Sequence, residues 1–134
     1  MSFDEELKKL IADARAETAR TNQEVLNFRN EWQRVKLNIV KPVLDQGANA
    51  LRIHAQMEAA TELKNGSIRL SVGRKSRNTF TEINALVFSP NESKLEVECS
   101  YKGAVAESFT LDSVNTPIVQ GKVKEFISAV LERF

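Results

Sequence analysis

Mainly apolar residues, weakened in the middle by Ala14, Thr18 and Thr21, recur with alternating spacings of four and three along residues 7–39 of this 134-residue chain. Two interleaved series, each with a period of seven, make up the repeat: Leu7, Ala14, Thr21, Phe28 and Val35, and Ile11, Thr18, Val25, Trp32 and Ile39. In a helix this spacing places every member on one face, which is the pattern by which helices pair as coiled coils. At about 1.5 Å per residue, a helix over residues 4–40 is about 50 Å long, more than a four-stranded sheet covers. The repeat therefore predicts a long helix that projects from the rest of the protein.

The apolar stripe on this helix has two interpretations. In the first, two copies pair in parallel, and Glu24 and Glu31 of one helix meet Arg29 and Lys36 of the other across the seam. In the second, the stripe packs on the protein's own sheet, as the apolar face of most amphipathic helices does. The length of the helix favours the first, and large aromatic side chains then dominate the energy of the seam. The residues predicted to mediate self-association are Leu7, Ile11, Val25, Phe28, Trp32, Val35 and Ile39, with Phe28 and Trp32 as the anchors.

Pro42 interrupts the stripe. Because a proline inside a helix removes one hydrogen bond and clashes with the preceding turn, it predicts a kink or a break near Val40 and Lys41. A new stripe in a shifted register follows and predicts a second helix over residues 42–64: Leu44, Ala48, Leu51, Ala55 and Ala59. The Asn65-Gly66 dipeptide is a turn signal that ends this helix.

The second half of the chain has the residue pattern of a sheet followed by a helix. From Ser67 to Leu111, β-branched and aromatic residues alternate with polar ones, and short turns separate four predicted strands of an antiparallel meander. The clearest alternation places Leu95, Val97, Cys99 and Tyr101 on one face. Thr116-Pro117 is a helix start, and the apolar stripe after it predicts a C-terminal helix packed on one face of the sheet.

These elements predict an α+β fold. Residues 1–64 form a helical segment, with the heptad stripe over 7–39 and the second helix over 42–64, and residues 65–134 form the sheet and the C-terminal helix. A chain of this length is expected to form one structural domain, here with a helical extension.

The charged residues are unevenly distributed, although 19 Lys and Arg nearly balance 18 Asp and Glu. Arg69, Arg74, Lys75 and Arg77 lie in a stretch without acids, at the predicted tip of a hairpin. Such a cluster can contact phosphate groups and gives affinity that falls with salt. A solvated tip that opposes aggregation of the neighbouring strands is the simpler interpretation.

No catalytic or metal-binding signature stands out. His54, the only histidine, lies four residues from Glu58 on the predicted second helix, but a metal site needs more ligands than this pair supplies. Cys99 lies in the apolar phase of a strand, where a thiol behaves as a small hydrophobe and not as a nucleophile. We therefore expect no enzyme activity, no cofactor and no metal.

The sequence favours a non-catalytic interaction module that self-associates through its N-terminal helix, with a dimer as the expected state. Nucleic-acid binding by the basic hairpin tip is the alternative, and binding of a small ligand between the sheet and the C-terminal helix is a second one. An unidentified protein partner is also compatible with the pattern. The absence of an export signal and of a long apolar run predicts a cytoplasmic protein with no membrane contact.

Overall fold

The computed structural model describes residues 2–133, without the side chains of residues 17–20. Its helical elements are α1 (Phe3–Val35), a π-helical segment (Lys36–Val40), α2 (Lys41–His54), a short 3-10 turn (Leu111–Ser113) and α3 (Thr116–Glu132). Its strands are β1 (Glu58–Lys64), β2 (Ser67–Ser76), β3 (Thr79–Asn91), β4 (Glu96–Ser100) and β5 (Glu107–Thr110). The α+β class and the antiparallel sheet are thus confirmed, with five strands where four were expected.

Near Pro42, where a kink or a break was expected, the helical elements follow one another without a gap. Helix α1 continues through the π-helical segment into α2, and the backbone N–H of Lys41 donates to the carbonyl of Lys36, five residues back. Because Pro42 has no N–H, one wide turn directly before it lets the helix continue past the proline. The wide turn also changes which residues face the core, and this explains why the second apolar stripe begins in a new register at Leu44.

The second helix is shorter than predicted, because residues 58–64 form a strand. Helix α2 ends at His54, and Gln56 has a positive φ of 53° where the chain changes direction. Asn65 and Gly66 have φ values of 51° and 81°, the left-handed pair that a type I′ hairpin turn requires. The Asn-Gly turn therefore joins β1 to β2 instead of ending a helix.

The sheet is a meander in which every strand pairs with the next one in the chain, in the order β1-β2-β3-β4-β5. All four pairings are antiparallel. The β2–β3 pairing contains a bulge, since Ile83 has no partner between the pairs Val72–Asn84 and Gly73–Glu82. A bulge of this kind strengthens the twist of the strand pair and marks where the hairpin leaves the rest of the sheet.

One face of the sheet is covered by the helices. Its buried side chains are Ala59, Ile68, Leu70, Val72, Leu86, Phe88, Val97 and Cys99, so the predicted inward phase of β4 is confirmed. The helices contribute Phe28, Trp32, Val35, Val40, Val43, Leu44, Ala48, Leu51, Val119, Val123, Phe126 and Val130 to the same cluster. The core is therefore a single layer between the helices and the sheet.

Helix α3 begins one residue earlier than its predicted cap implies and packs closely on α2. The side chain of Asn115, not that of Thr116, is the N-cap and accepts a hydrogen bond from the backbone N–H of Ile118 at 3.0 Å. The two helices approach each other at Gly47, where a Cβ atom would lie 2.9 Å from a methyl carbon of Val123. A glycine at this position permits the close contact.

Candidate interaction surfaces

Two segments extend beyond the core and carry the residues that the sequence singled out. The first is the N-terminal part of α1, residues 3–24, which we call the projecting helix. The second is the outer part of the β2–β3 hairpin, residues 74–81, which we call the arm. Every residue of both segments whose side chain the structure describes is exposed.

The projecting helix is well formed at its start and uncovered on its apolar face. The side chain of Ser2 caps the helix by accepting from the backbone N–H of Glu5, and three acids in the first turn complement the helix dipole. Four large apolar side chains lie exposed on this segment: Phe3 (75 %), Leu7 (42 %), Leu10 (68 %) and Ile11 (53 %). An isolated helix of this length is only marginally stable in water, so this face is the strongest candidate for a partner.

The remainder of the predicted self-association stripe belongs to the protein's own core. Phe28, Trp32 and Val35 are buried, Ile39 packs against the core in part, and Val25 is half-buried directly after the end of the projecting helix. From Phe28 onward the stripe thus packs on its own chain, as the second interpretation predicts, whereas Leu7 and Ile11 are exposed. Phe28 and Trp32, the expected anchors of an interface, contact the sheet layer of their own chain.

Of the four charged residues expected to cross a dimer seam, Arg29, Glu31 and Lys36 have partners within the chain, and Glu24 is exposed. Arg29 forms two parallel hydrogen bonds with Glu92, at 2.7 and 2.9 Å, and Glu31 pairs with Arg34 on the same helix. The hydrogen bonds and the charge of Arg29 hold the pKa of Glu92 below its ordinary value. Lys36 is buried, which lowers the pKa of its amine. Of these groups, the Arg29–Glu92 pair joins α1 to the end of β3.

Within residues 2–133, the arm is a two-stranded ribbon with no neighbouring strand on either side. Strand β1 pairs with β2 only as far as Gly73, and β4 pairs with β3 only from Val87 onward. Within the arm the cross-strand pairs are Arg74–Thr81, Lys75–Phe80 and Ser76–Thr79. Because neighbouring residues of a strand point to opposite faces, Arg74 and Lys75 lie on opposite faces of the ribbon.

The apex of the arm holds an arginine in an unfavourable backbone conformation. Arg77 and Asn78 are the two central residues of the turn, with φ values of 50° and 67°. Asparagine tolerates a left-handed conformation, whereas an arginine there costs about 1–2 kcal/mol. In the β1–β2 turn of the same sheet, the two left-handed positions are held by Asn65 and Gly66, which adopt this conformation more easily. The arm thus carries a cation at its apex at some cost in stability.

The base of the arm is fixed by packing and by one ion pair. A Cβ atom at Gly73 would overlap the carbonyl oxygen of Thr81, and the ring of Phe80 lies across the same position. Arg69 pairs with Glu82, which also accepts a hydrogen bond from the hydroxyl of Ser71 at 2.8 Å. Arg69 is therefore part of the structure at the base, while Lys75 and Arg77 form no ion pair with any residue that the structure describes.

His54 and Glu58 do not form a pair on a helix. His54 is the last residue of α2 and lines an apolar cavity of about 400 Å³ with Ile127 and Leu131 of the C-terminal helix region. Glu58 begins β1 and lines a separate cavity beside Arg74. The structure thus gives neither residue the acid–base partner that the helical spacing predicted.

Cys99 is buried in the core near three charged residues that lie around β5. Lys122 of α3 donates to Glu107 and to Glu125, and its ammonium lies over the ring of Phe109. Burial raises the pKa of the Cys99 thiol to about 12. A thiol with this pKa stays protonated near neutral pH and is a poor nucleophile.

Comparison with known proteins adds no assignment to this geometry: no protein-family model, curated protein or solved structure matches the chain. Among residues 2–133, no helix combines the length and apolar character needed to cross a membrane. In the same part of the chain, no three histidine, cysteine or acidic residues lie close enough together to hold a metal ion.

Proposed function

We propose that this protein is a non-catalytic self-association module in which the projecting helix pairs with the same segment of a second copy. The observation that carries the proposal is the uncovered apolar face formed by Phe3, Leu7, Leu10 and Ile11. Burial of each such side chain contributes about 1.5–3 kcal/mol, so two copies have enough apolar surface to form a stable pair. The core of the protein supports this role by anchoring the other end of α1.

The spacing and the charges of the projecting helix favour a second copy over an unrelated partner. Leu7, Ile11 and Ala14 retain the spacing of four and three that lets two identical helices interdigitate. Residues 3–16 contain four acids and three bases, so two copies carry little net charge to repel each other: Asp4, Glu5, Glu6 and Asp13, and Lys8, Lys9 and Arg15. A partner that recognised this helix through its charge would favour a segment whose charges all have the same sign.

The interface that we propose is shorter than the stripe of the sequence. It begins near Phe3 and ends before Phe28, because from Phe28 onward the apolar side chains fill the core of their own chain. A dimer formed in this way leaves each sheet domain intact. We also propose that the protein is cytoplasmic. The cytoplasm keeps thiols reduced, which agrees with a single cysteine that is buried and unpaired.

The test is the molar mass in solution, measured by light scattering on a size-exclusion column over a range of concentrations. We expect twice the mass of one chain for the wild type and the mass of one chain for Leu7→Ser/Ile11→Ser. A matched control, Ile53→Ser/Leu63→Ser, removes one exposed isoleucine and one exposed leucine elsewhere and leaves the mass doubled. A monomeric wild type at high concentration, or an equal loss of mass in the control, would refute the proposal.

A further inference from the structure

We propose that the arm is a DNA-binding element that enters the major groove of the duplex. The inference does not depend on self-association, since the arm belongs to one chain and lies on the hairpin, away from the projecting helix in the sequence. It rests on three observations: the arm is a ribbon without a neighbouring strand among the described residues, its cations lie on both faces and at the apex, and Arg77 occupies a position that disfavours arginine.

The dimensions of the arm fit the major groove. Two paired strands lie about 4.8 Å apart, and the groove is about 12 Å wide and admits a two-stranded ribbon. Three residue pairs and a two-residue turn make the arm roughly 10–13 Å long, comparable with the groove depth of about 8.5 Å. The major groove of duplex RNA is too narrow for such an element.

The placement of the charges favours a groove over a flat anionic surface. A lipid surface or an acidic protein face would be met by cations on one face of the ribbon only. A groove has two walls, each lined with phosphates, and the arm presents Arg74 to one side, Lys75 to the other and Arg77 at the apex. Thr79 and Thr81 lie on the same face as Arg74 and add hydroxyl groups that can hydrogen-bond to phosphates or base edges.

The backbone conformation of Arg77 gives an independent indication. A type I′ turn is most stable with Asn-Gly, which the β1–β2 turn uses, whereas the arm has Arg-Asn. Nothing within the described chain pairs with the Arg77 side chain, so its position yields no stabilising contact in the free protein. A ligand that contacts the guanidinium group explains why a strained arginine stands at the apex.

Binding is measured by fluorescence anisotropy with a labelled 24-base-pair DNA duplex of mixed sequence. Three phosphate contacts predict that the affinity falls about 40-fold between 50 and 200 mM salt. We expect Arg74→Gln/Lys75→Gln/Arg77→Gln to lose at least about tenfold in affinity at 50 mM salt. The control Lys64→Gln/Lys94→Gln/Lys124→Gln removes the same net charge from exposed positions elsewhere and is expected to bind like the wild type.

A single substitution separates binding from folding. Arg77→Asn relieves the strained conformation, so we expect its melting temperature to rise by a few degrees while its affinity for the duplex and its salt dependence both fall. A variant that is more stable and binds less well has not lost binding through misfolding.

Four results would overturn the inference. They are no binding of the wild type to the DNA duplex at 50 mM salt, an equal loss in the lysine control, equal affinity for an RNA duplex of the same sequence, and arm-dependent binding of equal strength to phosphatidylserine vesicles. None of these outcomes bears on the mass measurement. Failure of the DNA-binding inference would therefore not affect the proposed dimer, and failure of the proposed dimer would not affect the DNA-binding inference.

Discussion

The indole N–H of Trp32 donates a hydrogen bond to the carbonyl oxygen of Gly66 at 2.8 Å, and this bond ties α1 to the turn between β1 and β2. The same carbonyl lies 3.4 Å from the ammonium nitrogen of Lys36. Trp32 is almost completely buried in the core cluster. Its role is therefore to dock the helix on the sheet of its own chain.

Replacing Trp32 by phenylalanine tests this docking contact. Trp32→Phe retains an aromatic side chain but leaves the Gly66 carbonyl with only its longer contact to Lys36. We expect a loss of about 1–2 kcal/mol in the free energy of unfolding, measured by urea denaturation followed by circular dichroism. The molar mass in solution should stay that of the wild type. An unchanged stability with a reduced mass would instead assign Trp32 to an interface between copies.

The Arg29–Glu92 pair predicts a change in stability with acidification. Because Arg29 lowers the pKa of Glu92 in the folded protein, the pair stabilises the fold fully above the ordinary carboxyl pKa of 4.5. This stabilisation is lost as the pH falls through the lowered pKa. We expect Glu92→Gln to be less stable than the wild type at pH 7 and the difference to shrink as the pH falls below 4. Thermal melts between pH 2.5 and 7 measure both.

A double-mutant cycle checks that the effect belongs to the pair. Arg29→Gln and Glu92→Gln should each lower the stability at pH 7, and the double variant should lose less than the sum of the two. Additive losses would show that Arg29 and Glu92 act separately. Both side chains are substantially exposed, so we expect a small effect that weakens further in high salt.

Removal of the buried charge at Lys36 should stabilise the protein. Its ammonium is desolvated, and its only hydrogen bond among the described residues is the long one to Gly66. We expect Lys36→Met to raise the free energy of unfolding at pH 7 by about 1 kcal/mol. Since burial lowers the pKa of Lys36, the folded protein loses this proton first, and the advantage of methionine should shrink as the pH rises through that pKa. The exposed control Lys64→Met should change the stability by less than about 0.5 kcal/mol.

Two glycines give opposite predictions for the same substitution. Gly73→Ala places a methyl group against the carbonyl of Thr81 and the ring of Phe80, so we expect a loss of about 1–3 kcal/mol. At Gly121, in the interior of α3, no described atom other than those of its chain neighbours and its own helix backbone lies within 4 Å of the added Cβ. Gly121→Ala should therefore gain about 0.5–1 kcal/mol from helix propensity. Chemical denaturation measures both, and a neutral Gly73→Ala would contradict the packing at the base of the arm.

The sheet was predictable from the sequence wherever apolar and polar residues alternate strictly. Val97 and Cys99 face the core as their phase indicates, because a strand buried on one face admits only one register. Glu107 breaks the alternation of β5, and the structure shows the reason: it faces the buried side and pairs there with Lys122. No local pattern reveals a partner that lies fifteen residues away on a helix.

Strand β1 was missed although its signal was present. Ala59 and Ala60 are good helix formers and continue the spacing of α2, so propensity favoured a longer helix. The Asn65-Gly66 dipeptide is at the same time the strongest short signal for a hairpin turn, and it would have assigned the residues before it to a strand. Pairing with β2 overrides the helical propensity of these residues.

The division of the heptad stripe could not be predicted from spacing. Leu7 and Trp32 belong to the same repeat, yet Leu7 is exposed and Trp32 is buried, because the sheet reaches only part of the helix. Periodicity identifies the face of a helix that is covered but not the molecule that covers it. The arm extends beyond the sheet because β1 and β4 are too short to pair with it. The length of a strand depends on its pairing with neighbouring strands, and the sequence of one strand alone does not show this pairing.

The order of the strands in the sheet equals their order in the chain. Each hairpin can therefore close from its own turn, and the loop-closure entropy of each step is small. Proteins built from such local pairings reach their native state faster than those that join distant strands. We expect the meander to form early and the packing of α3 on α2 near Gly47, which joins distant parts of the chain, to be the slow step of folding.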